Sequence, residues 1–408
     1  MSTRTLALVS FACLSGLAVL AACATDGSAP VASAGDEESK VPSADAAIDV
    51  LSDAGDAGTC EDCEYFPATC SADVLCPNEL FAASGSFDPR SAVNVIRGRS
   101  ENDVWLGASV GAVAHFDGAG WTRADVERES IRAFWLREDG EISFATLERL
   151  FSRVLDDGDG GAPSTDWAPR ATASSATEYG WWRRLLNATW ANPGSEWSWA
   201  ATEVLSCANF SCQVNPDLRT SGLWRLRRSP SGAFEITRVI SPEVCQATSC
   251  EGMTGLHASS ANDLWAVGHT GAAIRITDPD SDTPALRRFN TQTWLSLYGV
   301  WAASETDAWA VGAHGVVRHY TGHSVIWDIV SDVPTTQDLN AVWGSSPSDV
   351  WAVGDAGTVL HYDGKAWSRV KIAGLGARRP KLTTVWLGSP GHVWIGGQGV
   401  VLSLGGKP

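Results

Sequence analysis

The sequence predicts an all-β protein, a seven-bladed β-propeller whose last blade is closed by an N-terminal strand. Three observations lead there. Tryptophan is 20 of 408 residues, a load that calls for one structural use repeated many times. A unit of four short strands recurs along the chain. The final unit lacks its fourth strand, while a strand-like segment precedes the first unit.

The clearest unit runs from Asn340 to Trp367. It reads as strands A (339–343), B (350–354), C (358–362) and D (367–370), with Ser-Pro-Ser-Asp and Asp-Gly as turn residues. An A-strand residue and a B-strand anchor stand eight apart, and that spacing finds seven units. The pairs are Arg97/Trp105, Trp135/Ser143, Trp190/Ser198, His257/Trp265, Trp301/Trp309, Trp343/Trp351 and Trp386/Trp394. Successive A positions lie 38, 55, 67, 44, 42 and 43 residues apart. Four-stranded units at about 40–50 residues are the mark of a propeller. Trp121, Trp167, Phe234, Phe289, Trp327 and Trp367 take the D-strand aromatic position. Unit seven has no D strand, and Glu79–Ser84 is expected to supply it and remove an open edge.

The pattern Val-Trp-Ala-Val-Gly-x-x-Gly-x-Val-x-x-Tyr-x-Gly resembles the "WAVG" propeller repeats of many bacterial exported lipoproteins. More distantly it resembles the photosystem II assembly propeller and the Asp-box (neuraminidase) repeats. Close matches cover 257–404 and 93–121. The segment Asp363–Trp367 is one residue shorter than an Asp-box and lacks its Ser, so sialidase chemistry does not carry over.

Before the repeats, Arg4 and an apolar run over 6–20 read as a secretory signal, too short for a membrane span. Leu20-Ala21-Ala22-Cys23 resembles the bacterial lipobox, which implies cleavage before Cys23 and lipidation of its sulfur. Ala24 after that cysteine implies an outer-membrane or cell-surface lipoprotein. Residues 24–59 hold eight acids, one base and no aromatic, a composition that cannot bury a core. Such a tether spans about 30–35 Å. The expected organisation is signal peptide 1–22, acidic tether 23–59, Cys-rich segment 60–76 and propeller 77–408. In an exported chain the clustered Cys60, Cys63, Cys70, Cys76, Cys207, Cys212, Cys245 and Cys250 read as disulfides rather than a zinc site.

The net charge of −17 argues against nucleic acid as a partner and against membrane attachment by anything but the lipid. The mature chain has no His-Glu-x-x-His motif, and its carboxylates stand mostly at turns, so no catalytic residue, cofactor or metal ligand is assigned, and the protein is read as a non-enzyme. The acidic loops 156–161 and 278–282 read as solvated turns before calcium loops. His115, His319 and His361 share one C-strand position, with Arg275 at the fourth, and read as packing residues. His257 stands where an A-strand tryptophan is expected, toward the central channel.

A monomeric binding or scaffold module is therefore expected, for an envelope protein or an anionic glycan, with assembly of another exported protein as the alternative. B–C and D–A connections share one face of a propeller. The 202–221 insertion and the 241–252 connection belong to it and should touch. So do Trp181, Trp182, Arg183, Arg184, Arg378 and Arg379, the aromatic and basic candidates for contact with a partner.

Overall fold

The computed structural model describes residues 62–82, 87–126, 128–154, 165–174, 184–204, 221–229, 232–322 and 325–406. Its strands form seven sheets arranged as the blades of a propeller. The innermost A strands are Val93–Ser100, Ala133–Arg137, Arg184–Trp190, Met253–Ser260, Leu297–Ser304, Leu339–Ser346 and Leu382–Leu387, in blades 1 to 7. Blade 6 is typical: Leu339–Ser346, Asp349–Gly354, Val359–Tyr362 and Trp367–Arg369 run antiparallel from inside to outside. Blade 3 gains a fifth strand, Thr172–Ser174, parallel to Phe234–Thr237, which the repeat pattern did not announce.

Five of the seven expected A/B pairs lie directly opposite each other. In blade 2, Phe134 rather than Trp135 faces Ser143; in blade 3, Trp190 faces Trp199 rather than Ser198. The two slips have different local causes. Blade 2 makes its A–B turn directly between Arg137 and Gly140, without the register shift that blades 1, 4, 5 and 6 carry just before that turn, and blade 3 slips the other way across a longer A–B connection, 191–196. A change of one residue in a bulge or turn moves every partner by one.

The B-strand tryptophan packs across the blade boundary. Trp105 meets Trp167, Trp265 meets Tyr320 and Trp327, Trp309 meets Tyr362 and Trp367, and Trp394 meets Phe116 and Trp121. Ring centroids lie 4.8–5.8 Å apart. Each tryptophan is nearly fully buried, which stabilises by about 2–3 kcal/mol apiece, with somewhat more from aromatic geometry. The D-strand aromatics are therefore the socket for the preceding blade.

Within a blade, a second contact fixes the same tryptophan. Asp103, Asp263, Asp307 and Asp349 open their B strands, and their carboxylates accept from His115, Arg275, His319 and His361. The imidazoles of His115, His319 and His361 stack on Trp105, Trp309 and Trp351 at 4.2, 3.8 and 4.4 Å. Trp105 and Trp351 also donate Nε1–H to their aspartates at 2.9 Å. The repeated histidines are thus packing residues, as their shared position implied.

The ring closes with an N-terminal strand, but not at Phe81. Leu75–Pro77 pairs antiparallel with Val400–Leu404, while Glu79–Phe81 is a 3-10 turn capped by Asn78. Leu75 is fully buried, and its carbonyl accepts from Ala373 on the far side at 2.8 Å. The closing strand thus begins inside the segment expected to stand apart at 60–76. That segment is held to the ring by the Cys70–Cys76 disulfide and by Asp62, which accepts from Arg379 at 3.0 Å.

The Gly-x-x-Gly of the repeat has a specific cause. The first glycine lies against the carbonyl just before the A strand. A Cβ on Gly354 would sit 1.9 Å from the Asp338 oxygen, and one on Gly268 or Gly312 would sit 2.1 Å from its counterpart. Gly354→Ala should cost about 2–4 kcal/mol in chemical denaturation. Gly120→Ala, with open space around its Cβ, should leave stability within about 1 kcal/mol of wild type. Equal effects from the two substitutions would contradict this packing.

Candidate binding face and axial pocket

The A strands enter the ring from the D–A connections, and one residue near the start of each reaches toward the axis. These residues are Asn94, Arg132, Asn187, Thr254, Tyr298, Asn340 and Thr383. Five form a belt in which a side chain donates to the main chain at the head of the next blade. Asn94 donates to the Ile131 carbonyl at 2.9 Å, Asn187 to Met253 at 2.9 Å, Thr254 to Leu297, Asn340 to Leu382 at 2.8 Å, and Thr383 to Val93. The last of these crosses the ring junction.

Inside the belt lies a pocket of about 90 Å³ to which all seven blades contribute. Its charged lining residues are Arg97 and Arg132, and no carboxylate lines it among the described residues. Arg97 and Trp343 form its floor, with the Arg97 guanidinium 4.6 Å above the Trp343 ring. Trp343 meets His257 edge-on at 5.0 Å, and Trp190 lies 4.1 Å from His257. These rings plug the channel below the pocket.

His257 is the buried member of that plug. Its Nδ1 accepts from the Ala302 amide at 3.1 Å, which places the ring proton on Nε2. Burial, reinforced by the Arg97 charge, brings its pKa down to about 3, so the ring is neutral. Burial also pulls the Arg97 guanidinium down to about 10. Arg132 is lowered for the same reason, partly offset by Glu203.

Around the mouth, Glu203 accepts from His269 Nε2, and His269 Nδ1 lies 3.0 Å from Ser296 Oγ. Asp355 accepts from Asn340 at 2.7 Å and pairs with Lys381 at 3.2 Å.

Trp181, Trp182, Arg183, Cys207 and Cys212 lie outside the described residues, as do Cys23, Cys60 and the 156–161 loop. Arg184 opens the blade 3 A strand opposite Val204. Cys245, within a short helix, Pro242–Thr248, forms a disulfide with Cys250 just after it, and both are buried. Cys63 is in the disulfide form as well. The base of the 202–221 insertion touches the 241–252 connection, because the Gly222 amide donates to the Cys250 carbonyl at 2.8 Å.

Arg378 and Arg379 have internal work. Arg378 donates to the Gln398 and Gly399 carbonyls, and Arg379 pairs with Asp62 and covers Phe66 at 3.5 Å. The 278–282 loop turns the Pro279 and Ser281 carbonyls to Arg225, at 3.0 and 2.6 Å, where a cation would need them. Sequence reasoning missed Arg132 and took Arg97 only as a repeat position. The signal for Arg97 was its departure from the A-strand tryptophan.

No family model and no curated protein matches the chain. Solved structures do. YCF48 bound to D1 peptide aligns with a TM-score of 0.55 at 13% identity, covering 83% of this chain and 96% of that one. YCF48 from Cyanidioschyzon merolae aligns with a TM-score of 0.55 at 14% identity, over 78% and 95%. The extracellular domain of the hybrid two-component system BT3049 from B. thetaiotaomicron gives 0.53 at 9% identity, over 76% and 39%. At these identities the likeness concerns the fold alone, a seven-bladed propeller.

The rim pair sets a pH window. The hydrogen bond from His269 holds Glu203 below its ordinary 4.5, and the same bond raises His269 above 6.5. The stabilisation is therefore lost as pH falls through the Glu203 value, and lost again as pH rises through the His269 value. The wild-type advantage over His269→Gln should peak at about pH 5–6 and shrink by about pH 9. Because the pair is partly exposed, it should not exceed about 1 kcal/mol. A difference that is flat across this range in urea titrations would contradict the pairing.

Proposed function

We propose that the protein is a lipid-anchored cell-envelope module that holds a partner on the face formed by its B–C and D–A connections. The observation that carries this reading is the axial pocket, which is polar at its mouth, positively charged within and closed below by aromatic rings. Rigid strands fix those groups, and connections of variable length surround them, the arrangement in which recognition concentrates. The partner is an envelope protein or an anionic glycan. Cys23 supplies the anchor and 24–59 the reach from an outer-membrane or cell-surface attachment.

A second reading, assembly of another exported protein, is favoured by the solved YCF48 propeller that carries a D1 peptide. In either case the protein acts by binding, with no reaction assigned to it.

Two measurements on the expressed full-length protein test this. Alkyne fatty-acid labelling should mark wild type and not Cys23→Ser. Affinity capture from native envelope, with a glycan array in parallel, should recover partners with wild type. Recovery should fall at least several-fold with Arg132→Glu and with the double substitution Arg183→Glu/Arg184→Glu. Circular dichroism confirms that each variant folds. Equal recovery by all variants places the partner site elsewhere, and equal labelling of Cys23→Ser removes the anchor.

A further inference from the structure

The guanidinium groups of Arg97 and Arg132, both on the axial pocket, have fewer protein partners than the buried and partly buried arginines elsewhere among the described residues. Arg99 pairs with Asp103 and Glu141, and Arg275 with Asp263 and Glu305. Arg318 donates to the Thr291, Val317 and Gln292 carbonyls, and Arg225 to those of Pro279 and Ser281. Arg97 has one hydrogen bond, from Nη1 to the Ile96 carbonyl at 2.8 Å, and one face on Trp343. Guanidinium carries five N–H donors in a planar fork. The other four have no protein acceptor among the described residues, and the group borders the pocket. Those donors stay open to the pocket, where an acceptor from outside can reach them.

We propose that the axial pocket is a carboxylate-binding site, in which one carboxylate of a partner lies against the Arg97 fork with Arg132 and the Tyr298 hydroxyl at the mouth. The inference rests on the reading of this face as the recognition surface, and names the chemistry it recognises. Four features agree. The pocket holds two guanidinium groups and no acid among its described lining. The fork presents parallel donors, a match for two carboxylate oxygens, and the Trp343 ring beneath fixes its plane. The space of about 90 Å³ has ample room for a carboxylate. Burial, with the nearby Asp338, Asp355 and Glu203 charges, raises the Tyr298 pKa and keeps its hydroxyl a donor.

The belt explains why the other polar groups do not compete. The amide of Asn94, Asn187 or Asn340 and the hydroxyl of Thr254 or Thr383 are committed to blade-to-blade carbonyls. Neutral His257 adds no charge beneath the site. Neither guanidinium titrates between about pH 6 and 8, so any weakening of affinity as pH rises there comes from the rim, where His269 beside Glu203 gives up its charge.

The probe is acetate, titrated into the expressed full-length protein and followed by the line width of carbon-13-labelled acetate, with chloride holding ionic strength constant. Wild type should show saturable binding in the millimolar range. Arg97→Met should weaken it at least ten-fold, and Arg132→Met should weaken it less. Methionine packs on Trp343 without a charge to desolvate, so the melting midpoint of Arg97→Met should not fall, and acetate should no longer raise it. Acetate binding within two-fold of wild type in Arg97→Met overturns the proposal, as does the absence of saturable binding in wild type.

Competition then distinguishes the sources of the carboxylate. A short peptide with a free C-terminus is set against its amide, and glucuronate against glucose. Displacement of acetate by either acid, and not by its neutral counterpart, supports a partner carboxylate of that source. Displacement by neither overturns the partner claim. Loss of envelope partners with acetate binding intact would fail the recognition-face reading alone.

Discussion

Blade 7 meets blade 1 through a stack of contacts, and every other feature of the molecule depends on that joint. Trp394 packs into Phe116 and Trp121, and Thr383 donates across the junction to Val93. Thr384 accepts from the Ile96 amide at 3.2 Å, and Trp386 lies against Gly98, where a Cβ would come within 2.6 Å of the ring. The same wedge recurs between Trp301 and Gly344. Outside these lies Leu75–Pro77, without which Val400–Leu404 would be an open edge. A ring of seven cannot hold its axis unless this last boundary resembles the other six, and the pocket exists only while all seven A strands converge.

The joint also accounts for the chain's division of labour between residue types. Tryptophan fills boundaries because a large flat ring spans two twisted sheets, and the Asp–His or Asp–Arg contact behind it sets the ring's angle. Asparagine and threonine at the heads of the A strands tie neighbours together while staying polar toward the axis. Only at the centre does the pattern break, where Arg97, Trp190, His257 and Trp343 meet as a mixed aromatic and cationic plug. Two residues that depart from the A-strand tryptophan, Arg97 and His257, packed against two that keep it, Trp190 and Trp343, are the place to look for function.

Much of the fold was legible because the B-strand tryptophans keep a fixed distance from glycine and aspartate partners nearby in sequence. The register of blades 2 and 3 was not legible, because a one-residue change in a bulge or turn leaves no compositional trace. Phe81 drew attention as an aromatic in the right place, yet the closing strand is Leu-Cys-Pro. Pro77 at a strand end and Cys76 bonded to Cys70 were the signals available. Arg379 read as a surface cation because its partner, Asp62, lies 317 residues away in sequence. The pocket itself was invisible for the same reason: Arg97 and Trp343 belong to blades that meet only across the axis.

Closure by Leu75–Pro77 is the claim on which the ring stands, and amide hydrogen exchange reads it directly. Gly405 donates to the Val74 carbonyl at 2.8 Å, and Val400–Leu404 is an inner strand only if the N-terminal strand covers it. Amides from Val400 to Gly405 should be protected to within about ten-fold of those in the corresponding strand of blade 6, Val359–Tyr362. Exchange of the outward-facing amides of Val400–Gly405 at rates near those of a free chain, with blade 6 still protected, would show that the seventh blade is open and contradict the account.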